Sequence, residues 1–173
     1  MKHYKFKISS ICIAVILFLF YFAIFSNGEF RMVSSTALIE EAFAINENYY
    51  FGYEMVWSGV FKPTIRDISF RKQDGTLFSE KDEHLMINAL IDTLGHTGMV
   101  YGESYEELVR VKGINYVEAK NFKVDDQKFT LVLKAIKKSE NYQDNFSELI
   151  IDYNYLGLRK KAVFEFNGFT SRN

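Results

Sequence analysis

An all-β body behind an N-terminal membrane segment is the fold class this sequence predicts, and three observations carry it. Residues 8–25 (ISSICIAVILFLFYFAIF) run for eighteen positions without a charge. From Tyr49 onward, apolar residues recur with a period of two, the mark of half-buried strands. Polar and glycine-containing turns separate those runs, and no long helical pattern intervenes. Short strands between polar turns favour an antiparallel sandwich over an α/β fold. The expected architecture is therefore an antiparallel immunoglobulin-like β-sandwich preceded by a transmembrane helix and a short juxtamembrane helix. The label describes architecture only, because the Cys–Trp–Cys pattern of antibody domains is absent. The expected organisation is a basic cytoplasmic tail at 1–7, the span at 8–25, a linker with a short helix at 26–48, and the sandwich at 49–173.

Eighteen residues of helix extend about 27 Å, close to a hydrocarbon core of about 30 Å. A helix also satisfies its own backbone polar groups, as lipid requires. The residues expected to face lipid are Ile8, Ile11, Ile13, Val15, Ile16, Leu17, Phe18, Leu19, Phe20, Phe22, Ile24 and Phe25. Lys2, Lys5 and Lys7 precede the run, and Ser26-Asn27-Gly28-Glu29 follows it. The positive-inside rule then leaves the N-terminus cytoplasmic and sends the remainder across. The run is longer than a usual signal-peptide core, which argues for a retained anchor. Cleavage after Gly28, where Ser26 and Gly28 are small, is the alternative and would give a secreted soluble protein. Cys12 lies inside the run after Ile11, so a lipoprotein site does not fit, and Cys12 reads as a small lipid-facing hydrophobe.

Without its first 28 positions the chain keeps 145 residues, enough for one core. That part holds 18 Lys and Arg against 22 Asp and Glu, a net charge of −4. It has no electrostatic footprint for nucleic acid. It also lacks cysteine, so neither disulfides nor a thiolate metal site can staple it, a composition that suits a bacterial surface. No cofactor is expected.

Along the exported chain, Ser34, Ser35 and Thr36 are N-cap candidates for a short helix at 37–43 with a stripe of Leu38, Ile39, Ala42 and Phe43. Tyr49, Phe51, Tyr53, Met55 and Trp57 then form one apolar face of a strand ended by Gly59. A second strand is expected at 65–72 after the chain's one proline, Pro63, and Asp74-Gly75 is a hairpin signal. A charged loop at 80–83 leads to a strand at 85–94. Gly95, Gly98 and Gly102 mark irregular turns, and Ser104 with Glu107 fits a capping box for a helical turn. Phe129, Leu131, Leu133 and Ala135 alternate in the next strand; Leu149, Ile151, Tyr153 and Tyr155 in the one after. A bend at Leu156-Gly157-Leu158 precedes a last strand at 161–166.

Two segments, GVFKPTIRDISFRKQDG (59–75) and ELIIDYNYLGLRKKAVF (148–164), resemble small signal-anchored extracytoplasmic β-domain proteins of Bacillus-type bacteria. The resemblance implies a surface location and a β domain, and it implies no activity.

Catalytic signatures are sparse: G-x-S-x-G, H-E-x-x-H and the phosphate-binding G-x-x-x-x-G-K-[ST] do not occur. Of three histidines, His3 is in the tail, His84 in a charged loop, and His96 in DTLGHTG. His96 oriented by Asp92, with Glu103 nearby, would make an envelope hydrolase; the simpler reading is a histidine in a hairpin loop. Tyrosines at 49, 50, 53, 101, 105, 116, 142, 153 and 155 could include a stacking platform, although strand aromatics are more often core and sheet surface. No catalytic, cofactor or metal residue is singled out. The function expected is an interaction or ligand-binding module at a bacterial surface. Its partners would be the bilayer through residues 8–25 and an envelope protein or wall polymer.

Overall fold

Period-two patterning becomes long antiparallel strands in the computed structural model, which describes residues 13–19, 21–22, 28–95 and 97–171. The strands are β1 (Phe30–Met32), β2 (Leu38–Ile39), β3 (Tyr49–Trp57), β4 (Thr64–Lys72), β5 (Leu85–Asp92), β6 (Met99–Tyr101), β7 (Tyr116–Glu118), β8 (Lys128–Lys137), β9 (Phe146–Tyr155), β10 (Leu158–Glu165) and β11 (Thr170–Ser171). One helix, α1 (Tyr105–Lys112), lies between β6 and β7. The larger sheet has the order β1-β3-β8-β5-β7, with β6 also paired to β3; the smaller has the order β10-β9-β4. Every pairing in these two sheets is antiparallel. β11 and β2 form a separate parallel pair.

The two sheets share one apolar core. β3 contributes Tyr49, Phe51, Tyr53, Met55 and Trp57, all buried, as the alternation predicts. β8 adds Leu131, Leu133 and Ala135, and β9 adds Leu149, Ile151, Tyr153 and Tyr155 from the facing sheet. Aromatic rings join the layers: Trp57 meets Tyr155 at 5.0 Å and Tyr153 at 5.6 Å, and Tyr53 meets Phe166 at 6.1 Å.

A second, smaller cluster lies on the outer face of the larger sheet. Tyr50, Val132 and Tyr116 are covered there by Leu108 of α1, with Val100 and Ile114. The capping box read from the sequence forms: the Glu107 amide donates to Ser104 Oγ, and the Ser104 amide donates to Glu107 Oε2 at 3.1 Å. Gly113 ends the helix in the left-handed region at φ 63°.

The short helix expected at 37–43 does not form. Leu38–Ile39 is a strand, and Glu40–Ala42 is a single 3₁₀ turn whose N-cap, Ile39, makes no side-chain cap bond. Four apolar residues on one turn cannot nucleate a stable helix alone. The Leu38 amide instead donates to the Phe169 carbonyl at 2.8 Å, and Phe43 is buried against Tyr49 and Phe169. Residues 30–43 thus belong to the packed body rather than leading up to it. The strand expected to reach 94 stops at Asp92, whose carboxylate receives the Leu94 amide at 2.9 Å and turns the chain. Asp74-Gly75 makes its hairpin turn, with the Lys72 amide donating to the Thr76 carbonyl at 2.8 Å. The returning arm is short, and the next long strand, β5, joins the other sheet.

Of the expected span, residues 13–19 and 21–22 are helical, with Phe18 and Phe22 stacked at 6.5 Å and their neighbours exposed. Ile8, Ile11, Phe20, Ile24 and Phe25 lie outside the described residues. Among the described residues, no helix is long and apolar enough to cross a membrane.

Truncating Phe51, which is fully buried and 4.9 Å from Phe169, to Ala is expected to cost about 3–5 kcal/mol. Ser104→Ala removes one cap and is expected to cost about 1 kcal/mol. Urea denaturation of both variants checks the ranking; equal losses would contradict a core shared between the sheets.

Candidate functional site: the cleft beside Asp144

Where β9 begins, the chain leaves a polar loop through Tyr142, Asp144 and Phe146. The Asp144 carboxylate lies just ahead of β9 and engages the segment at Phe169 and Thr170. Its Oδ2 accepts from the amides of Phe169 (2.6 Å) and Thr170 (2.8 Å) and from Thr170 Oγ1 (3.0 Å). That grip holds the C-terminal segment so that Thr170 and Ser171 pair with Leu38 and Ile39. Gly168 crosses directly over the carboxylate at φ 92°, and a Cβ there would fall on Oδ1. Only glycine fits both demands.

The held segment walls a cleft of about 670 Å³. Met32, Ser35, Thr36 and Ala37 form one side, Gln73 reaches in from the β4 hairpin, Tyr53 lies on β3, and residues 165–168, 170 and 171 form the other side. That volume falls within the range of about 300–1,000 Å³ typical of small-molecule sites. Asp144 and Glu165 are its ionisable carboxylates, and among the described residues no Lys or Arg lines it.

Burial pushes the Asp144 carboxyl above the ordinary value, against the pull of the Thr170 amide, the Tyr142 hydroxyl and the Phe169 amide. Burial, reinforced by the Asp144 charge, raises the Tyr53 and Tyr142 phenols, so both stay protonated donors. Tyr53 Oη donates to the Thr36 carbonyl at 3.4 Å. Asp144 Oδ1 and Tyr142 Oη are buried without an aligned hydrogen bond. Hydroxyls, two side-chain amides (Gln73 and Asn167) and carboxylates beside Met32 and Phe166 suit a polar ligand that is neutral or carries an amine. The negative lining disfavours phosphate.

Asp92, expected as the partner of His96, is buried and engaged by its own loop. Its Oδ2 accepts from the Thr97 amide (2.9 Å) and Thr97 Oγ1 (2.8 Å), and that hydroxyl meets Tyr116 Oη at 2.8 Å. Burial and the Asp92 charge outweigh the Thr97 hydrogen bond and push the Tyr116 phenol up to about 12. His96 itself lies outside the described residues, and His84 is exposed, its amide donating to Asp82 Oδ1. Among the described residues, no group of three or more His, Cys, Asp and Glu could hold a metal.

The tyrosines divide. Tyr49, Tyr53, Tyr153 and Tyr155 are core, while Tyr101 is exposed. Tyr50, Tyr116 and Tyr105 form a stack on the outer face at 5.5 and 5.8 Å, beside Asn88, Glu118 and Lys134. Tyr105 is the ring of that stack left open to solvent. Sequence reasoning missed Asp144 entirely. The one available signal was a lone aspartate among loop residues, and nothing local distinguishes it from Asp125 or Asp126.

Compared with known protein families, curated proteins and solved structures, the chain matches none.

Asp144→Ala leaves three donors without an acceptor and is expected to cost about 2–4 kcal/mol; Asp144→Asn keeps one acceptor and should cost less. Because the folded-state value of Asp144 is raised, its protonation favours the fold: the contribution is complete below the ordinary carboxyl value, near 3.9, and is lost as pH rises through the raised value. Stability of the parent relative to Asp144→Asn should therefore increase as pH falls from 7 toward 4. Asp82 runs oppositely. Burial alone would raise it, but the His84 amide, Lys72 and the Leu85 amide hold it below the ordinary value. Its contribution is present above the ordinary carboxyl value and is lost as pH falls through its lowered folded-state value. Denaturant titrations at several pH values separate the two.

Proposed function

We propose that this protein is a single-pass, membrane-anchored binding module that works outside a bacterial cell, taking an amine-bearing or neutral wall glycan in the cleft beside Asp144. The observation that carries this reading is the cleft: ligand-sized and, among the described residues, lined by hydroxyls and two carboxylates without a cation. The anchor reading rests on the uncharged run 8–25 behind three lysines. It is supported by the exposure of Ile13, Val15, Ile16, Leu17, Phe18 and Leu19, an apolar surface that water would penalise and lipid would not.

The immunoglobulin-like reading of the body finds support in strand order. With β1, β3, β4, β5, β8, β9 and β10 taken as A to G, the sheets read A-B-E-D and G-F-C, the constant-type arrangement. β6, α1 and β7 are then an insertion between D and E.

Two measurements test the proposal. A protease-sensitive tag after Asn173 should be cleaved in intact cells; protection would overturn the orientation. Full-length protein in nanodiscs, titrated with glucosamine oligomers, should show binding that Asp144→Asn and Glu165→Gln each weaken by about tenfold, or about 1.4 kcal/mol. No saturable binding of either the glucosamine or the N-acetylglucosamine series, or binding indifferent to both substitutions, would overturn the ligand assignment.

A further inference from the structure

Two loop tips lie together at the end of the body where the chain arrives from residues 8–25, and they are apolar where solvent would favour polar residues. Val60 and Phe61 cap the β3–β4 connection, at 66% and 44% exposure; Leu156 and Leu158 flank the β9–β10 turn, at 38% and 53%. Both tips are tied to Trp57. Its Nε1 donates to the Phe61 carbonyl at 2.7 Å, and its ring lies 5.0 Å from Tyr155, the residue that precedes the second tip. Phe61 packs on Tyr155 at 6.5 Å. The turn between Leu156 and Leu158 is tight, with Leu156 at φ 52° and Gly157 at φ 78°, so the two leucines are held outward at a rigid corner.

The incoming chain is fixed to the same spot. Tyr153 Oη donates to the Gly28 carbonyl at 3.3 Å, and Gly28 lies so close to the Trp57 ring that a Cβ would fall inside it. Gly28 follows Phe25, the last residue of the uncharged run, by three positions. Three extended residues reach at most about 11 Å. A body pinned at Gly28 therefore cannot stand far from whatever holds Phe25.

We infer that Val60, Phe61, Leu156 and Leu158 enter the interfacial layer of the same bilayer that holds the anchor, docking the body on the membrane in a fixed orientation. This rests on the anchor reading above. The occupant is phospholipid rather than another protein because the short tether brings this end to the membrane surface and leaves no room for an intervening partner. Apolar contact drives the docking: Lys62 is paired with Asp125 at 3.2 Å and Arg159 with Asp152 at 3.3 Å, so neutral lipid suffices. The cleft beside Asp144 is then carried away from the bilayer. Tyr53 lies four residues up β3 from Trp57, about 13 Å at strand rise, and β9 runs from Phe146 at the far end to Tyr155 at the membrane end.

Trp57 is the chain's only tryptophan, so its fluorescence reports on this corner alone. Full-length protein would be reconstituted into phosphatidylcholine vesicles with bromine placed high on the acyl chains. Strong quenching of Trp57 is expected, and Val60→Asp with Leu158→Asp, both at exposed positions, should remove most of it while the protein still floats with the vesicles. A fluorophore on Val60→Cys in a Cys12→Ser background should shift to the blue in vesicles and not in its Leu158→Asp counterpart. Flotation with no quenching, or with quenching unchanged by the substitutions, would overturn the docking and leave the anchor standing. Failure to float would overturn the anchor itself.

Discussion

Edge-to-face aromatic contact between the two sheets is the constraint on which the rest of the structure depends. The β body contains no cysteine, so nothing covalent joins its layers. Phe30 and Trp57 of the larger sheet interlock with Tyr153 and Tyr155 of the smaller at 4.9–5.6 Å. At the other end Phe51, Phe146, Phe166 and Phe169 form a second knot. Such pairs contribute about 0.5–1.5 kcal/mol each beyond the area they bury. Tyrosine within the core also brings an obligation, because a buried hydroxyl needs a partner. Tyr153 meets it with the Gly28 carbonyl, Tyr49 with the Ala42 carbonyl and Ala44 amide, and Tyr53 with the Thr36 carbonyl. All of those partners lie between 28 and 44. The core's hydroxyls thus recruit the N-terminal stretch into the fold, which is why a segment that reads as a linker is built in.

Carboxylates perform the corresponding task where strand ladders end. Asp144 takes two amides and a hydroxyl of the C-terminal segment, and Asp92 closes the loop to Thr97. Each replaces a missing backbone acceptor with a side chain. In the case of Asp144 the substitution has a consequence for shape: the segment it holds, anchored in the core by Phe169, forms one wall of the cleft. Its charge, buried beside two phenols, makes that space favourable for a donor ligand.

Much of the fold is legible in the chain because its strands are amphipathic over many residues. β3, β8 and β9 declare themselves by alternation, and α1 by a capping box whose two partners are three residues apart. What escaped is short or remote. Leu38 and Phe43 look like a helical stripe because four apolar positions cannot reveal that Phe169, far along the chain, supplies a strand partner. The outer burial of Tyr50 and Val132 escaped for a related reason: the cover comes from α1, and local periodicity does not say which face a helix will protect.

By itself the sequence determined the period of each long strand, the cap of α1, the uncharged N-terminal run and the absence of cysteine from the β body. These follow from residues close together in the chain, where spacing and chemistry act directly. Tertiary structure alone decided which strands share a sheet, that Asp144 would grip the segment at Phe169 and Thr170 and line the cleft beside it, and that Trp57 would gather Gly28 and Tyr155 at one end. Those outcomes depend on groups remote in the chain meeting in space, and no local pattern encodes such a meeting.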